Sequence, residues 1–117
     1  MRGGNMSGLE IVFSPAARRE IKKFDKQIQI RFIKAVEALS LDPRPSGAEK
    51  IQGHPGFLRI RAGADHRIIY SILQDRIVVI VVLRDRKDAY RGLGDLDDKL
   101  KAAMLELAAN GGTSGSG

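Results

Sequence analysis

Arg59, Arg61 and Arg67 fall within nine residues of this 117-residue chain, and Arg84, Arg86, Lys87, Tyr90 and Arg91 form a second charged segment further on. In Leu58-Arg59-Ile60-Arg61 apolar and cationic residues alternate, the period of a strand with one apolar and one charged face. Two residues of extended chain set Arg59 and Arg61 about 7 Å apart on that face. A turn containing Gly63 then brings Arg67 back towards them. Crowded cations repel one another, and a phosphate would relieve that cost. Guanidinium suits the task because its planar fork bonds two phosphate oxygens at once. Cleavage of a phosphate ester needs a nucleophile, charge stabilisation and groups that move protons. In RNA the neighbouring 2′-hydroxyl is itself the nucleophile, so the protein need not provide one. By spacing alone the arginines point to RNA or DNA binding more strongly than to catalysis.

Other chemistries have less support. There are no cysteines, which removes disulfides and thiolate metal sites. His54 and His66 are the only histidines, and no metal-ligand spacing accompanies them, so neither a metal nor a cofactor is expected. His54 precedes Pro55 in a loop, and His66 should point away from the face of Arg67; both read as structural. Tyr70 shares a face with Ile68 and Ile72 and reads as core. Asp85 and Asp88 read equally as orienting Arg86 or Lys87 and as surface pairing.

The cations need a scaffold. Glu10-Ile11-Val12-Phe13 reads as a short strand, with Ser14 capping and Pro15 opening the helix that follows. Ile21, Phe24, Ile28, Phe32, Val36 and Leu39 recur at helical spacing, and Asp25-Lys26 divides the run into an antiparallel pair. Prolines 43 and 45 stop the second helix, and a loop through Lys50 leads to the arginine hairpin. Residues 77–83 are consecutive aliphatics, a strand buried on both faces. A last helix is expected over about 95–109, with Asp95 as cap and Leu96, Leu100, Met104 and Leu107 as a core or oligomer stripe. The expectation is an α+β fold: an N-terminal strand and helical hairpin on a small, mostly antiparallel sheet of about four strands, plus a C-terminal helix. Residues 9–110 form one domain, between a leader at 1–8 and a flexible tail at 111–117.

Net charge is +6, and nine basic residues against four acidic ones lie between Lys50 and Arg91. That imbalance fits a basic body meeting nucleic acid or an acidic protein. Without a membrane-length apolar run or a signal peptide, a cytoplasmic protein that does not engage membranes is expected.

Four stretches in order resemble the RelE/ParE superfamily of bacterial toxin–antitoxin toxins: Ile11-Val12-Phe13-Ser14-Pro15-Ala16-Ala17-Arg18-Arg19; Lys50-Ile51-Gln52-Gly53 before Phe57-Leu58-Arg59-Ile60-Arg61-Ala62-Gly63; Arg67-Ile68-Ile69-Tyr70; and Asp85-Arg86-Lys87-Asp88-Ala89-Tyr90-Arg91. The resemblance spans roughly Leu9 to Arg91. It implies one of two activities. RelE-like members cleave messenger RNA in the ribosomal A site, without metal, through the 2′-hydroxyl; ParE-like members poison DNA gyrase. A third option is an antitoxin-binding module without catalysis. Carried over by position, the implied catalytic residues are Arg59, Arg61, Arg67, Arg86 and Tyr90, with Arg84 a rival to Arg86. Lys50, Arg84, Lys87 and Arg91 are the implied further RNA contacts. Arg67 and Arg86 would stabilise the scissile phosphate, Arg59 or Arg61 would hold the backbone or activate the 2′-hydroxyl, and Tyr90 would stack or assist proton transfer. Arginine hardly deprotonates, so the proton acceptor stays open. The implied partners are a cognate antitoxin, forming a hetero-oligomer, and the ribosome with its message.

Overall fold

The computed structural model of the chain describes residues 8–84 and 94–116, with side chains described to residue 109. The elements are β1 (Glu10–Phe13), α1 (Pro15–Lys22), α2 (Lys26–Leu41), β2 (Glu49–Lys50), β3 (Leu58–Arg61), β4 (His66–Leu73), β5 (Arg76–Arg84) and α3 (Leu96–Ser116). One sheet runs in the order β1-β5-β4-β3-β2. β1 lies parallel to β5, and every other pairing is antiparallel. The architecture is the expected α+β arrangement with five strands instead of about four. The addition is β2, which pairs only Glu49 with Arg59 and Lys50 with Leu58. Two residues are too few to show alternation, so this stretch read as loop.

Local chemistry explains the element ends. Ser14 has extended backbone and accepts a hydrogen bond from the Ala17 N–H at 2.9 Å, while Pro15 occupies the first turn, where a missing N–H costs nothing. Lys23 and Phe24 close the first helix through their N–H groups onto Glu20 and Ile21, and α2 starts after Asp25, where the division was expected. Gly63 takes φ +85° in the β3–β4 turn, a region that side-chain-bearing residues avoid. At the far end, Asp95 accepts from the Asp98 N–H at 3.1 Å and caps α3; this bond to its ionised form holds its carboxyl below the usual range. The helix then continues to Ser116, past the expected end near Ala109 and through the stretch expected as a tail. No proline interrupts it, although Gly111, Gly112 and Gly115 are weak helix formers.

β5 separates two apolar layers. On the hairpin side Phe32, Val36 and Leu39 of α2 meet Ile68, Tyr70 and Val79. On the other side Leu96 and Ala103 of α3 meet Phe57, Ile69, Val78 and Ile80. Leu100 and Met104 also pack there, so most of the α3 stripe is core. Tyr70 is fully buried and donates its hydroxyl to the Pro43 carbonyl at 2.8 Å; burial pushes its pKa up to about 12. α3 is also tied to α1, since Arg18 grips both Glu106 carboxylate oxygens at 2.6 and 2.7 Å.

An irregularity in β5 matters for the site. Tyr70 pairs with Val79 but Ile69 pairs with Val81, so Ile80 is an extra residue, a β-bulge. The Ser14 hydroxyl donates to the Ile80 carbonyl at 2.6 Å, satisfying a group the bulge takes out of register.

Candidate nucleic-acid interface

Cross-strand pairs in an antiparallel sheet share a face. Arg61 lies opposite Arg67, and Arg59 opposite Ile69. Ile69 packs on the α3 side, whereas Leu58, Ile60 and Ile68 pack under the helical hairpin. Arg59, Arg61 and Arg67 therefore share the sheet face directed away from the hairpin. Arg61 is exposed, while Arg59 and Arg67 are half-buried. Arg59 is engaged by Glu49, which accepts from its Nε at 3.1 Å and from one terminal nitrogen at 2.9 Å.

β2 ends early and leaves the outer edge of β3 open beside α2. A cleft of about 680 Å³ lies there, with Ala38, Leu39 and Ile60 among its apolar lining and Glu49, Arg61 and Arg67 among its charged lining. It joins two guanidiniums to two carboxylates, Glu49 and Asp42, so it offers both phosphate binding and a proton acceptor. The sequence placed the arginines but gave no sign of Glu49, because only strand pairing brings it opposite Arg59.

The remaining expected cations are dispersed. Lys50 lies opposite Leu58 and lines a different cleft of about 450 Å³ with Arg44 and Ser71. Arg84 lies opposite His66, with its neighbour Val82 packed under the hairpin. It is thus turned away from the face of Arg61 and Arg67, and the bulge is the reason: one extra residue reverses the alternation along β5. Arg86, Lys87, Tyr90 and Arg91, with Asp85 and Asp88, lie outside the described residues. His66 is buried with its ring edge-on to Phe24 and Phe32, at 5.2 and 5.5 Å, on the face opposite Arg67 as expected. Burial, then the nearby Arg84, pulls its pKa down. Among the described residues no three His, Cys, Asp or Glu side chains converge as a metal site, and no helix is long and apolar enough to cross a membrane.

Comparison with known proteins agrees with this architecture. A family model described as the ParE toxin of type II toxin–antitoxin system, parDE, matches residues 11–90. No curated protein matches the sequence significantly. Solved structures do. The toxin–antitoxin complex RelBE2 from Mycobacterium tuberculosis includes a chain 21% identical, with TM-score 0.58, over 66% of this chain and 98% of that one. The archaeal RelE–RelB complex from Pyrococcus horikoshii OT3 gives 20% identity and TM-score 0.59 over 68% and 98%. The isolated E. coli RelE toxin gives 20% identity and TM-score 0.58 over 68% and 86%. At these identities the structures speak for the fold, and the family model carries the assignment. The chain belongs to the ParE toxin family, within the RelE/ParE superfamily of type II toxin–antitoxin systems.

Proposed function

We propose that this toxin is an endoribonuclease that cleaves messenger RNA on the ribosome. The observation that carries the reading is the pairing of Arg61 with Arg67 across β3 and β4, at a cleft that also holds Glu49. Two guanidiniums on one face can hold the non-bridging oxygens of a phosphodiester as charge builds on them. The 2′-oxygen bonds to phosphorus, the bond from phosphorus to the 5′-oxygen breaks, the 2′-hydroxyl proton leaves and the departing 5′-oxygen gains one. Arginine cannot take that first proton. Glu49, held in place by Arg59, is the acceptor this reading assigns. Arg86 and Tyr90 keep the roles implied by resemblance, charge stabilisation and stacking or proton delivery. The antitoxin is the stable partner.

A second reading, inhibition of DNA gyrase, draws on the family model, whose description names the ParE toxin. Purified toxin added to ribosomes carrying a defined message separates the two. Under the first reading the message is cut, and Glu49→Gln or paired Arg61→Ala and Arg67→Ala slow the cutting tenfold or more. An intact message together with inhibited supercoiling would transfer the assignment to gyrase.

A further inference from the structure

A second charged cleft opens on the hairpin side of the sheet, where the α1–α2 turn meets the ends of β4 and β5. It measures about 430 Å³, and Lys23, Asp25, Ile28, Asp65, His66 and Arg84 line it. Three features of its walls call for an anion.

The first is the start of α2. This sixteen-residue helix has Asp25 at its N-cap position, yet the Asp25 side chain makes no capping hydrogen bond and the first turn holds no acidic residue. The N–H groups of Lys26, Gln27 and Ile28 thus lack helical acceptors, and Asp25, the carboxylate at the positive end of the helix dipole, bonds none of them. The second is the set of cations. Lys23 and Arg84 line the cleft, and Arg84 makes no ion pair among the described residues. Arg31 lies close over the β3–β4 turn, 3.4 Å from where a Cβ on Gly63 would stand.

The third is His66. Its side chain is 7% exposed, and neither ring nitrogen has a hydrogen-bond partner among the described residues. A buried polar group without a partner is costly, and native proteins seldom leave one. Phe24 and Phe32 hold the ring in place edge-on, so it cannot turn away freely.

We propose that this cleft binds a phosphate group, held by the first-turn amides of α2 and by Lys23 and Arg84, with His66 at its floor. A tetrahedral oxyanion can accept from several directions at once, which suits donors coming from a helix end, a turn and a strand end. The volume exceeds many times the roughly 30 Å³ share of one water, so the cleft also accommodates the group that carries the phosphate. Asp25 and Asp65, which would oppose a bare anion, can accept hydrogen bonds from hydroxyls on that carrier. This cleft shares no lining residue with the one that holds Arg61 and Arg67, so the site stands whether or not RNA is cut there.

Two-dimensional amide and histidine NMR of the whole chain tests the site, with inorganic phosphate, adenosine 5′-monophosphate and a short single-stranded RNA as separate probes. Saturable shifts at Lys26, Gln27 and Ile28, with an upward move of the His66 titration, are expected. Saturation by inorganic phosphate identifies a site for free phosphate or its monoesters, and saturation by the RNA alone identifies a strand phosphate. Arg84→Ala and Lys23→Ala should each weaken binding about tenfold while the remaining spectrum stays that of the folded protein. His66→Phe keeps the ring packing and should weaken binding less. The proposal is overturned if no probe saturates these amides, or if binding persists unchanged in both Arg84→Ala and Lys23→Ala.

Discussion

Replacing Ser14 by alanine removes two interactions with one oxygen atom. That oxygen accepts from the Ala17 N–H at 2.9 Å and donates to the Ile80 carbonyl at 2.6 Å, and the side chain is fully buried. Loss of an N-cap costs about 1 kcal/mol. An unpartnered buried carbonyl costs about 1–3 kcal/mol more, because no water replaces the hydroxyl. The two losses share an atom and do not strictly add, so a total of about 2–4 kcal/mol is expected, a large share of a typical stability of about 5–15 kcal/mol. With a urea slope of about 1.5 kcal/mol per M, the unfolding midpoint should fall by about 1.3–2.7 M with the slope unchanged. Asp25→Ala provides the contrast: it sits at the other N-cap but makes no capping bond, and should change stability by less than about 0.5 kcal/mol. Equal, small effects at the two positions would show that Ser14 does not anchor the bulge of β5.

Three further outcomes follow from the packing and charges. Phe32→Ala empties the centre of the hairpin-side core and should destabilise by about 3–5 kcal/mol in the same urea assay; a loss below about 1 kcal/mol would contradict that packing. His66 has a folded pKa below its ordinary 6.5, so in the acid range the unfolded chain takes up the proton first. Its contribution is therefore full at higher pH and is lost as pH falls below about 6.5; urea midpoints at neutral and mildly acid pH should diverge in the native chain, less so in His66→Phe, and equal slopes in both would refute the claim. The Arg18–Glu106 pair is half-exposed, so a double-mutant cycle should give a small coupling that salt removes, and a large salt-insensitive coupling would be inconsistent with that exposure.

Much of the scaffold was legible because local chemistry dictates it. Ser14-Pro15 starts a helix by capping and a fixed φ, the apolar stripe from Ile21 to Leu39 can face only a core, and seven aliphatics from Ile77 place a strand inside the sheet, between β1 and β4. Four features were not legible. β2 exists through its pairing with β3, which no pattern in two residues announces. The β5 bulge hides inside a run apolar throughout, where alternation gives no clue, yet it decides on which side Arg84 emerges. Glu49 joins the arginines only through cross-strand pairing, and Lys23 meets Arg84 only where the helical hairpin docks on the sheet. Arg59, Arg61 and Arg67 could be placed because they lie within one hairpin, where local alternation and a short turn fix the geometry.

The most direct test of the proposed activity is transcriptome-wide mapping of message 5′ ends after brief expression. The native chain should produce new ends inside translated frames within minutes, and the variant carrying both Arg61→Ala and Arg67→Ala should lose them while still folding and binding its antitoxin. Messages that stay whole in cells arrested by the native chain, or cuts that persist undiminished in the double variant, would contradict the assignment of RNA cleavage to the paired arginines of β3 and β4.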